Sequence, residues 1–93
     1  MFETVLQQIR SKVRALEYVM TVHADDEMND DGLSILDVEQ VILNGAIIER
    51  QRDHHSGEWK YLINGQTEDL LDVIVVVKLG PSQWLVIITI YVQ

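Results

Sequence analysis

The 93-residue chain has no cysteine, a single proline, a single phenylalanine and few basic residues. Without cysteine there is no disulfide framework, no thiolate nucleophile and no thiolate metal site. Seven Lys and Arg stand against 15 Asp and Glu, for a net charge of −8. That balance argues against bulk electrostatic attraction to nucleic acid. No run of apolar residues is long enough to span a membrane as a helix, because Lys78 and Gly80–Pro81 break the stretch from Val73 to Val92. A signal peptide is not expected, since charge arrives at Glu3 before any apolar run forms. What is present is a 47% hydrophobic composition, enough to build one small core. The expectation is a soluble, cytoplasmic α+β chain forming a single domain over residues 1–93.

The acidity is local. Residues 16–45 hold eight acids and no base, whereas residues 1–15 hold Arg10, Lys12 and Arg14 against Glu3 alone. Residues 46–64 balance Glu49, Asp53 and Glu58 with Arg50, Arg52 and Lys60.

Periodicity divides the chain into helices followed by strands. Val5, Ile9, Val13 and Leu16 recur at helical spacing and predict one apolar stripe. Tyr18-Val19-Met20 reads as an edge strand or a connector. Thr21 is an N-cap candidate for a polar helix over 23–30, with Ala24 and Met28 as its buried face and Gly32 just past its end. Ser34 and Asp37 form a capping-box pattern flanked by a Leu33–Val38 staple, and Ile35, Val38, Val41 and Ile42 make the next stripe. From Ile47 the period becomes two. Strands are expected at 47–53, 58–64, 73–77 and 84–92, with a loop at His54–Gly57 and a turn at Asn64-Gly65. The order predicts an α+β fold, with the N-terminal helices packed on one face of a C-terminal antiparallel sheet of about four strands. The strands at 73–77 and 84–92 are apolar on both faces. A homodimer or a partner protein is expected to cover the second face.

Three groups of residues bear on chemistry. His23, Asp26 and Glu27 share a helix face. They either order the helix start or offer an imidazole and a carboxylate to a metal, short of the three or four ligands that zinc needs. Asp25, Asp26, Glu27, Asp30 and Asp31 lack the calcium-loop spacing and read as a solvated acidic face, or as a docking surface for a basic partner. Arg50 and Arg52 alternate with Ile48 on one strand face, Lys60 comes from the partner strand, and His54 and His55 lie between. Guanidinium groups fork onto phosphate oxygens and imidazole transfers protons near neutral pH. The group reads equally as an anion site or as an edge hairpin blunted by charge. Tyr91, near the end of the last strand, reads either as a residue facing the same site or as a core or edge aromatic. Trp59 and Trp84 read as core residues opening their strands.

The run His23-Ala24-Asp25-Asp26-Glu27-Met28, then Gly32-Leu33-Ser34, Asp37-Val38, Val41 to Gly45, Ile47-Ile48-Glu49 and a final Ile87 to Tyr91 resembles the bacterial family called domain of unknown function 4258. The resemblance covers roughly residues 18 to 92. It implies kinship with RelE/ParE-like and motility-quorum-sensing-regulator toxins, hence a RelE-like fold and a toxin–antitoxin role. The implied activity is metal-independent mRNA cleavage, with no cofactor. The implied partner is an antitoxin of zinc-finger or helix-turn-helix type. The resemblance carries over His23, Arg50 and Tyr91; Arg52, His54 and Lys60 are added from strand geometry. Two positions depart from the family pattern, which has arginines where this chain has Glu27 and Asp31. A second reading follows from that departure: a non-catalytic interaction module of the same fold.

Overall fold

The computed structural model describes residues 1–93. Helix α1 spans Glu3–Arg14 and buries Ile9 and Val13, with Val5 and Leu6 packed at the margin. The expected stripe ends one turn early. Leu16 is exposed and adopts a left-handed φ of 57°. The Glu17 N–H donates to the Lys12 carbonyl and the Leu16 N–H to the Val13 carbonyl. This is a Schellman cap with leucine where glycine is usual.

Strand β1, Tyr18–Met20, follows at once. Thr21 caps helix α2 (Val22–Asp30), its side chain accepting from the Ala24 N–H at 3.0 Å. Ala24 and Met28 are buried as the spacing predicts, and Gly32 takes φ 69° beyond the end. Helix α3, Ile35–Asn44, carries the full reciprocal capping box between Ser34 and Asp37.

Four strands complete the chain: β2 (Ala46–Arg52), β3 (Trp59–Gln66), β4 (Asp72–Leu79) and β5 (Leu85–Val92). The sheet has five strands, not four, in the order β1-β5-β4-β3-β2. It is mixed, because β1 adds to the edge of β5 in parallel while every other pair is antiparallel. The unbroken apolar run Val73–Val77 is fully interior in the middle strand, as such a run requires.

The helices share one core with one face of the sheet. Ile9, Val13, Ala24, Val38, Val41 and Ile42 pack against Ile63, Val73, Val75, Val77, Ile87 and Ile90. Ile74 and Val76 point to the other face, outside that cluster, and are shielded there by their strand neighbours.

Two expectations are corrected. The Asn64-Gly65 pair does not turn the chain; it lies within β3, and the turn falls at Thr67–Leu71. The reason is packing. A Cβ on Gly65 would stand 2.8 Å from the Val41 carbonyl oxygen and 3.1 Å from the Gly45 Cα. The glycine is therefore required by the close approach of α3 to β3. Trp84 is not core: it precedes β5 and is 42% exposed.

Candidate functional site

The β2–β3 hairpin forms because two β-rich segments flank a tip with local ties. The Asp53 carboxylate accepts from the His55 N–H at 2.8 Å and the Ser56 N–H at 3.3 Å. These bonds to His55 and then Ser56 hold the exposed Asp53 carboxyl below the usual carboxylate range. Gly57 supplies the left-handed residue, φ 74°, that lets the chain return. His54 is exposed at this tip.

A β-bulge between Ile47 and Glu49 sets which side chains go where. Ile47 opposes Ile63, whereas Arg50 opposes Tyr61 and Arg52 opposes Trp59. Ile48 is the extra residue, so it does not share a regular alternation with Arg50 and Arg52 as expected. The bulge instead puts both arginines on the helix-side face. There they meet on one indole: the Arg50 guanidinium carbon lies 4.0 Å from the Trp59 ring centre and that of Arg52 lies 4.9 Å away. Cation–π attraction holds the two guanidinium groups together although they repel. Lys60 opposes Gln51 and therefore points to the opposite face from the two arginines. The expected three-base cluster is thus two arginines and Trp59 on one face, with Lys60 behind them.

His23 and Glu27 belong to another place. β1 covers only Leu85–Ile87 of β5. Past it, side chains around α2 satisfy the open edge. The Thr21 hydroxyl donates to the Ile88 carbonyl at 2.8 Å. Glu27 Oε1 accepts from the Ile90 N–H at 3.1 Å and from the Thr89 hydroxyl. The same oxygen stands 3.2 Å from His23 Nε2, while the imidazole itself is largely exposed. Asp26 stays exposed. His23, Asp26 and Glu27 form no metal centre, and no three His, Asp or Glu side chains converge on one point.

Tyr91 opposes Ile74 on the face away from the helices. Following the register across the sheet, Tyr91, Ile74, Asn64 and Ala46 lie in one row at the end opposite the hairpin tip. Three strand spacings separate β5 from β2, roughly 14 Å. The six expected site residues therefore do not converge: Arg50 and Arg52 form one group, His54 and Lys60 flank it, and His23 and Tyr91 lie at the far edge and end.

Trp59 as the platform for both arginines was not legible in the sequence. Its pairing depends on the bulge at Ile48, which no residue type there announces. Thr89 and Ile90, the partners of Glu27, likewise lie far off in the sequence.

A family model described as "Domain of unknown function (DUF4258)" matches residues 20–92. The match takes in α2, α3 and strands β2 to β5, and leaves α1 outside. No curated protein and no solved structure matches the chain significantly.

Proposed function

The chain belongs to the DUF4258 family, and on that footing we propose that it is the toxin-like member of a toxin–antitoxin pair, related to RelE/ParE-like toxins, with the β2–β3 hairpin as its RNA-facing surface. The observation that carries the reading is the stack of Arg50 and Arg52 on Trp59. Guanidinium groups held over an indole can turn their N–H forks to phosphate oxygens and stack on bases. His54, two residues beyond Arg52, is the proton-transfer group nearest in sequence. In metal-independent cleavage a base takes the ribose 2′-hydroxyl proton, the 2′-oxygen bonds to phosphorus, and the 5′-oxygen leaves with a proton. The arginines would neutralise the charge that builds on the phosphoryl oxygens. The partner would be an antitoxin of zinc-finger or helix-turn-helix type, and the pair would act in the cytoplasm.

A second reading is favoured by Glu27. It stands where the resembled pattern has arginine, and it is committed to the β5 edge. With His23 and Tyr91 remote from the hairpin, the chain would serve as a non-catalytic module that binds a partner through its acidic helix or open sheet face. Inducible expression without a partner separates the two. Growth arrest with loss of mRNA, relieved by Arg50→Ala with Arg52→Ala, supports the toxin. Normal growth supports the module, and arrest undiminished by the double substitution removes the hairpin as the site.

A further inference from the structure

A groove of about 710 Å3 runs between α1 and the β4–β5 turn. That size falls within the range of about 300–1000 Å3 usual for ligand sites. Gln7, Gln8, Ser11 and Lys12 line it from the helix, and Gly80 and Gln83 from the turn. In a chain of net charge −8, no carboxylate lines it and one ammonium does. Side-chain amides both donate and accept, which suits the mixed edges of nucleobases, and a lysine suits phosphate.

The groove opens at the end of the sheet that carries the arginine stack. The β3–β4 register pairs Tyr61 with Val77; β3 begins two residues before Tyr61, at Trp59, and β4 ends two residues after Val77, at Leu79, which is part of the groove wall. Phe2, just before α1, meets the Tyr61 ring of β3 edge-on with centres 6.3 Å apart, which ties the start of the helix to the strand that carries Trp59. From Lys12 along α1 to the tie between Phe2 and Tyr61, and on to Trp59 with Arg50 and Arg52, the order of groups is amides, an aromatic plane and three cations.

We infer that this path is a binding site for single-stranded RNA, with a nucleotide in the groove and the adjoining phosphates on Arg50 and Arg52. The inference rests on the reading of the chain as RNA-directed, and adds a site that the residues matched by the family model do not contain in full, since α1 lies outside them. An acidic peptide would satisfy the cations but would leave the amide-lined groove and the Trp59 plane without a base.

The test uses the full chain and a short fluorescently labelled single-stranded RNA, read by polarisation. Gln8→Ala with Gln83→Gly removes two groove amides. The second change also relieves a left-handed non-glycine residue, φ 66°, so the fold is not strained, and circular dichroism verifies this. The double variant is expected to bind about tenfold more weakly, the loss of two ordinary hydrogen bonds. Lys12→Gln is expected to lower the slope of log affinity against log salt by about 0.7, one phosphate contact on a single strand. Unchanged binding in the double variant, no RNA binding by the native chain, or equal displacement by poly-glutamate overturns the inference. The toxin reading is scored separately. Growth arrest that survives the groove substitutions leaves that reading standing without the groove, whereas groove-dependent RNA binding without growth arrest leaves the groove standing without the toxin.

Discussion

The Glu27 carboxylate accepts a 3.1 Å hydrogen bond from the Ile90 backbone N–H, closing the part of the β5 edge that β1 is too short to reach. An N–H at a sheet edge that is shielded but unpaired is destabilising by about 1–3 kcal/mol. Glu27→Ala should lower stability by that amount in urea denaturation. Glu27→Arg, which installs the residue of the resembled pattern, should lower it further, because guanidinium has no acceptor for Ile90 or Thr89. An arginine variant as stable as the native chain would show that the β5 edge has another partner.

Leu16 offers a gain rather than a loss. It holds the left-handed position of the α1 cap with its side chain 68% exposed, so little packing is at stake. A left-handed backbone disfavours any residue with a Cβ by roughly 1–2 kcal/mol, part of which glycine gives back as unfolded-state entropy. Leu16→Gly is expected to raise stability by about 0.5–1 kcal/mol, measured as a higher denaturation midpoint at unchanged slope. A lower midpoint would mean that the exposed leucine packs on something.

Much of the helical half was legible because its signals are local. Thr21, Gly32 and the Ser34–Asp37 box act within four residues of themselves, and all sit where their types require. Contacts made across the chain leave no such local signal. Gly65 has the type of a turn residue beside Asn64, yet it is glycine because Val41 of α3 and Gly45 just past its end press on it. The fifth strand was ambiguous because three residues carry no period, and only the distant pairing with Leu85–Ile87 decides it. The same holds for the candidate site. Arg50 and Arg52 stand out by their types, but which face they share, and that Lys60 does not share it, depends on one bulged residue.

Tyr18 predicts an alkaline limit to stability. Its hydroxyl donates to Glu39 at 2.6 Å. Burial first, then that hydrogen bond and the negative charge of Glu39, push the phenol up to about 12 from 10.0. The folded value exceeds the unfolded one, so this contribution is complete below pH 10 and is lost as pH rises through about 12. Tyr18→Phe should flatten the fall in stability over that window. Glu39→Gln should bring the Tyr18 phenol down, seen as tyrosinate absorbance appearing at lower pH. No difference between Tyr18→Phe and the native chain across the window would remove Tyr18 as the cause.

The arginine stack can be measured directly, apart from any RNA. Arg50 lies nearer the indole centre than Arg52, 4.0 Å against 4.9 Å, so its coupling to Trp59 should be the larger. A double-mutant cycle of Arg50→Ala with Trp59→Leu is expected to give a coupling of about 0.5–1 kcal/mol, the range for a partly solvated cation–π pair. The cycle with Arg52→Ala should give less. Arg50→Lys should keep the charge but lose most of the coupling, because an ammonium lacks the planar face that stacks on indole. High salt separates this from simple charge effects: attraction of a cation to a ring in contact is screened less than attraction between exposed charges. A coupling that vanishes at high salt would mean that the guanidinium groups and Trp59 are neighbours without being partners, and the hairpin would then lose the feature that makes it more than a charged edge.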